Sequence, residues 1–105
     1  MRTIIAAAAM AMSIASTAFA DDVVVNQEQK RFSATEITIK RGQSVTFVNS
    51  DPFTHNVYSM TPGLSFDLQV QKAGQQDVVS FDKAGEALVQ CAIHPQMKLK
   101  IKVVP

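Results

Sequence analysis

Apolar and polar residues alternate along most of the chain beyond residue 22. A period of two marks strands with one face buried. Residues 35–40 (TEITIK) set Ile37 and Ile39 on one face and Thr38 and Lys40 on the other. Residues 44–49 (SVTFVN) do the same with Val45 and Phe47, and residues 77–82 (DVVSFD) with Val79 and Phe81. The last such run, residues 98–104 (KLKIKVV), points Leu99, Ile101 and Val103 inward. Further strands are predicted over 23–27 (VVVNQ), 55–59 (HNVYS), 65–71 (SFDLQVQ) and 86–91 (EALVQC). Turn-forming clusters separate them: Arg41-Gly42-Gln43, Ser50-Asp51-Pro52, Thr61-Pro62-Gly63, Ala73-Gly74 and Lys83-Ala84-Gly85. No segment past residue 20 carries a helical stripe. Short strands at steady spacing predict an all-β fold, a Greek-key β-sandwich or barrel of about 7–8 strands.

The first twenty residues break this pattern. Arg2 precedes an apolar run over 4–15, and Ala18-Phe19-Ala20 has the small-x-small form of a cleavage site. This is how a secretory signal peptide is built. The run is short for a membrane span of about 20 residues, so cleavage after Ala20 is expected. Residues 21–105 are then one exported domain, expected in the periplasm. No second apolar run is long enough to span a membrane. With Arg2 removed, the remaining Lys and Arg equal the nine Asp and Glu in number. That balance leaves no electrostatic footprint for nucleic acid. Nothing in the sequence calls for an oligomer, and a monomer is expected. Lys98, Lys100 and Lys102 lie on the outward face of the last strand, read as a solvated face that also discourages edge pairing, with docking of an acidic partner as the alternative.

Export makes the cysteine content informative. The chain has one Cys and two His. A single exported cysteine has no internal disulfide partner. It avoids oxidation either as a buried apolar side chain or as a metal-bound thiolate. Cys91 stands in VQCAIHPQMKL with His94 and Met97, on a loop between two predicted strands. The second histidine, His55, starts another strand just after a turn. Met60, the other methionine beyond the leader, reads as packing or surface. One thiolate, two imidazoles and one thioether form the blue-copper donor set, with the thioether as weak axial ligand. Zinc accepts Cys and His, but a thioether is a poor fourth ligand for it. Haem attachment and iron–sulfur clusters need more cysteines.

These motifs resemble the cupredoxins, the type 1 blue copper proteins, in their plastocyanin/amicyanin-like branch. The resemblance rests on FSATEITIKRGQSVTFVNSDPFTHNV, on GEALVQC and on the short Cys-x-x-His-x-x-Met loop CAIHPQM. Small methylamine-utilisation and plastocyanin-like proteins share similar wording. The resemblance implies that His55, Cys91 and His94 are strong copper ligands and Met97 the weak axial one. It gives Asn56 the role of linking the ligand loops and hydrogen-bonding near the sulfur. A strand-end residue is the alternative reading of Asn56. Pro95 joins Asn56 in the surroundings of the ligands. His94, Pro95, Phe53 and Pro52 become an electron port and docking patch. Two positions depart from the family pattern: Ile93 stands where many members have Pro before the loop histidine, and 87–90 (ALVQ) lacks the frequent aromatic. The implied function is no enzyme but a periplasmic carrier of single electrons by Cu(I)/Cu(II) cycling. Its partners would be redox proteins, a dehydrogenase, c-type cytochrome or reductase. The alternative is a periplasmic copper storage or delivery protein.

Overall fold

The structure is a computed structural model describing residues 22–105. The expected signal peptide lies outside the described residues. Eight strands follow in chain order: β1 (Asp22–Gln27), β2 (Glu36–Lys40), β3 (Ser44–Asn49), β4 (Val57–Ser59), β5 (Phe66–Asp67), β6 (Gln76–Ser80), β7 (Gly85–Cys91) and β8 (Lys98–Val104). They form a three-stranded sheet, β1-β3-β6, and a five-stranded sheet, β2-β8-β7-β4-β5. β1 pairs with β3 and β2 with β8 in parallel, while every other pairing is antiparallel. The chain changes sheet between β1 and β2 and again between β2 and β3, which is what parallel neighbours so close in sequence require. Among the described residues, no helix is long and apolar enough to cross a membrane.

One core joins the two sheets. Val25, Val45 and Phe47 come from the smaller sheet, and Ile39, Val57, Val89, Leu99, Ile101 and Val103 from the larger. Phe47 stacks on Phe66 at 5.6 Å between ring centroids, and Phe66 meets Phe81 edge-on at 5.9 Å. Offset and edge-on aromatic pairs add to the area they bury. The alternation read from the sequence matches burial best in β3 and β8, whose inward residues are fully enclosed. Val79 in β6 and Ile37 in β2 are only half-buried.

Two expectations change. The strand predicted over 65–71 shrinks to the two residues of β5. Gln69 adopts φ +60°, and its N–H donates to Asp67 Oδ1 at 2.7 Å, a local turn that competes with the ladder. Gln71 recovers one isolated bridge, to His55. The lysine face of 98–102 protects no edge either, because β8 lies between β2 and β7. Lys100 and Lys102 instead reach Glu86 and Glu36, each at 3.9 Å. Such exposed pairs contribute little, about 0–1 kcal/mol.

The two leucines of opposite face test this architecture. Leu99→Ala, in the core, should cost about 2–5 kcal/mol of unfolding free energy in a denaturant titration. Leu88→Ala, on the outer face of β7, should stay within about 0.5 kcal/mol of the parent. Equal losses would contradict the assignment of faces.

Candidate metal centre

His55 sits between the turn after β3 and the start of β4. Its backbone is fixed by a pair of hydrogen bonds: His55 N–H donates to the Gln71 carbonyl at 3.0 Å, and Gln71 N–H to the His55 carbonyl at 2.7 Å. Its side chain is fully buried. Nε2 lies 2.7 Å from Asp51 Oδ2, so Nε2 carries the proton and donates. Nδ1 is thereby left with its lone pair, aimed toward Cys91 and His94.

Cys91 is the last residue of β7 and is buried. It lies opposite Val57 across the β4–β7 ladder. One step beyond, Ala92 N–H donates to the Asn56 carbonyl at 3.0 Å, and Asn56 N–H points at Cys91 Sγ at 3.4 Å. Asn56 therefore ties the two segments together through its backbone. Its side-chain amide donates elsewhere, to Asp67 Oδ1 at 3.0 Å. The chain then turns tightly, with Met97 N–H donating to the His94 carbonyl at 2.9 Å. This turn leaves His94 half-exposed and buries Met97, which is 2% accessible.

Three donor atoms converge. Cys91 Sγ is 3.5 Å from His55 Nδ1 and 3.8 Å from His94 Nδ1, and the two Nδ1 atoms are 3.2 Å apart. A point in their plane lies about 2.0 Å from each, close to metal–imidazole bonds of about 2.0–2.1 Å and slightly inside metal–thiolate bonds of about 2.3 Å. The pocket therefore fits a single ion with little adjustment. Met97, buried on the same loop, completes the set of thiolate, two imidazoles and thioether, which suits copper.

The surroundings tune two charges. Burial alone would raise the Asp51 carboxyl. Hydrogen bonds from His55 and from the backbone N–H groups of Lys30 and Gln29 outweigh it and hold Asp51 below the usual carboxylate range. Burial lowers His94 from its ordinary 6.5, and repulsion from His55 when that ring is also protonated, together with the charge on Lys30, acts the same way, against a smaller opposing pull from Asp51.

At the surface, Phe53 lies 5.5 Å from the His55 ring and 5.6 Å from the His94 ring, centroid to centroid. Pro52, Phe53, Ile93 and Pro95 are all exposed, and Ile93 and Pro95 flank the half-exposed His94 in the chain. Lys30 Nζ stands 5.7 Å over the Phe53 ring and brings a positive charge to the rim. Met60 is 80% accessible, on the outside of the fold.

Sequence reasoning missed the buried polar groups behind the histidines. Asp51 reads as a strand breaker, yet it is 5% accessible and holds His55. An acid four residues before a candidate ligand histidine, within a turn, was the available signal. Gln71 carries no comparable signal. It pairs with His55 through its backbone and accepts a 2.5 Å hydrogen bond from Gln27 through its side chain.

Comparison with known proteins agrees with this geometry. The family of copper binding proteins described as the plastocyanin/azurin family matches residues 19–104. Amicyanin from Paracoccus versutus is 33% identical over 88 residues, 80% of this chain and 66% of that protein, just under two thirds of its length. Pseudoazurin from Methylorubrum extorquens is 35% identical, covering 98% of this chain and 76% of its own. The crystal structure of the Paracoccus versutus amicyanin superposes with a TM-score of 0.71 at 32% identity, over 82% of this chain and 84% of that one. A Cu(I) form of an amicyanin variant gives 0.73 at 25% identity, over 82% of this chain and 85% of that one.

The lowered His94 sets a pH dependence for the metal-free protein. A folded histidine below its unfolded value binds fewer protons than the unfolded chain as pH falls. Stability is therefore complete above about 6.5 and declines as the solution is acidified below it. Asp51 adds a separate loss only below its ordinary value of 3.8. Denaturant titrations of metal-free protein between pH 8 and 5 should show the decline, and His94→Gln should flatten it. Stability that rises on acidification would contradict the assignment.

Proposed function

The chain belongs to the plastocyanin/azurin family of copper proteins, and on that premise we propose that it is a diffusible carrier of single electrons in the periplasm. The observation that carries this reading is the donor triangle. Three ligand atoms already lie within 3.8 Å of one another, one histidine sealed in the core and the other reaching the surface. Copper bound there supplies a one-electron Cu(I)/Cu(II) couple.

The protein's own contribution is to hold the donors still. Strand pairing fixes Cys91, the Gln71 bridge and Asp51 fix His55, and one tight turn fixes His94 and Met97. A donor set that cannot relax presents nearly the same geometry to both oxidation states, so little reorganisation accompanies electron transfer. The Asn56 N–H draws electron density from the sulfur, which is one way a protein sets the potential. His94 faces Phe53 and is flanked in the chain by Ile93 and Pro95, an apolar rim with Pro52 as a further candidate and Lys30 at its edge, through which an electron enters or leaves with little charge to desolvate. The partners are redox proteins, with a dehydrogenase, c-type cytochrome or reductase as candidate classes. Export rests on the sequence of residues 1–20 and predicts a mature N-terminus at Asp21, readable by intact mass.

A storage or delivery protein needs exchangeable metal. Here the ligands are held by backbone pairings and an enclosed histidine, which favours retention. Copper-loaded protein should show an intense visible thiolate-to-copper band that disappears in Cys91→Ser; a colourless loaded protein contradicts the copper reading. Repeated reduction and oxidation beside a chelator should leave copper bound, whereas ready loss on reduction would favour delivery. Met97→Leu should shift the potential while the protein keeps its copper.

A further inference from the structure

The buried carboxylate of Asp51 is more than a structural plug. Its two oxygens accept three hydrogen bonds. Gln29 N–H donates to Oδ1 at 2.6 Å, Lys30 N–H to Oδ2 at 3.1 Å, and His55 Nε2 to Oδ2 at 2.7 Å. The two backbone donors come from the tip of a turn closed by hydrogen bonds between Glu28 and Arg31. Gln29 and Lys30 both adopt left-handed backbone angles, φ +55° and +60°. Side chains larger than glycine pay about 1–2 kcal/mol each to stand there. That conformation turns two successive N–H groups onto one acceptor. From the other side, the Asp51 N–H is held by Asn49 Oδ1 at 2.9 Å. The carboxylate thus has an oriented seat, and its remaining neighbour is the imidazole whose other nitrogen faces Cys91 and His94.

We propose that Asp51 is a positioning and tuning residue for the copper site, lowering its reduction potential through His55. The proposal rests on the copper reading above. A carboxylate accepting the far N–H of a ligand histidine fixes the tautomer and makes the near nitrogen a stronger donor. Both the stronger donor and the buried negative charge favour the more highly charged Cu(II) over Cu(I). The Gln29–Lys30 turn belongs to the same device, because its N–H groups keep the carboxylate aimed and anionic. A ligand histidine held by a neutral acceptor would lack the charge contribution.

The test compares Asp51→Asn with the parent, both loaded with copper. Loss of an outer partner typically changes metal affinity 10–100-fold. Asp51→Asn should lower Cu(II) affinity relative to Cu(I) about tenfold, which for a one-electron couple raises the potential by about 59 mV. The blue band should persist, since every ligand remains. An unchanged or lowered potential in a blue, folded variant overturns the proposal. If the variant does not fold, proton–nitrogen NMR of the parent in its diamagnetic Cu(I) form decides. A His55 Nε2–H that is protected from exchange and shifted downfield supports the carboxylate partner. One that exchanges freely with water overturns it. A parent that binds copper without the blue band would instead contradict the copper reading, so the two failures are distinguishable.

Discussion

Val57 lies opposite Cys91 in the β4–β7 ladder, and the site follows from that register. It sets Asn56 beside Ala92 and brings His55, 36 residues earlier in the chain, to 3.5 Å from the cysteine sulfur. A slip of one residue would turn Cys91 and Val89 to the outer face and the exposed Leu88 inward. The core therefore enforces the metal site. Burial of Val57, Val89, Leu99 and Ile101 holds the register, and the register holds two donors on one point. The third donor and Met97 need only the short turn from Cys91 to Lys98.

Behind these ligands lies a polar interior that the apolar core does not explain. Gln27, Asn49, Asp51, His55 and Gln71 are all buried near one end of the fold. Buried polar groups are costly unless paired, and these pair with one another. Asn49 donates to the Phe53 and Gln71 carbonyls, and Gln71 donates to the Phe47 carbonyl and Asp77. Gln27 Oε1 is the one buried side-chain oxygen or nitrogen without a partner among the described residues. Networks of this kind rigidify what they surround when satisfied. Here they surround His55, a ligand that lies outside the strands and is tied to Gln71 by a single isolated bridge.

The sequence made strand positions and ligands legible for different reasons. β3 and β8 were plain because each buries one face completely, so period two survives in the residues. β5 was misjudged because alternation over 65–71 says nothing of the left-handed Gln69 that ends the strand. The lysines of β8 could not reveal that the strand is central, since sheet order depends on pairings far apart in the chain. His55, Cys91, His94 and Met97 stood out through scarcity, as the chain holds only two histidines and one cysteine. Asp51 and Gln71 did not, because acids and amides are common and their value here comes from burial.

The central claim is that one thiolate and two imidazoles of this chain hold a single copper ion. X-ray absorption at the copper edge of the loaded protein tests it most directly. One sulfur near 2.3 Å or slightly shorter and two nitrogens at about 2.0–2.1 Å are predicted, by analogy with the lengths of metal–thiolate and metal–imidazole bonds. A shell of nitrogen and oxygen alone, or of two or more short sulfurs, would contradict it.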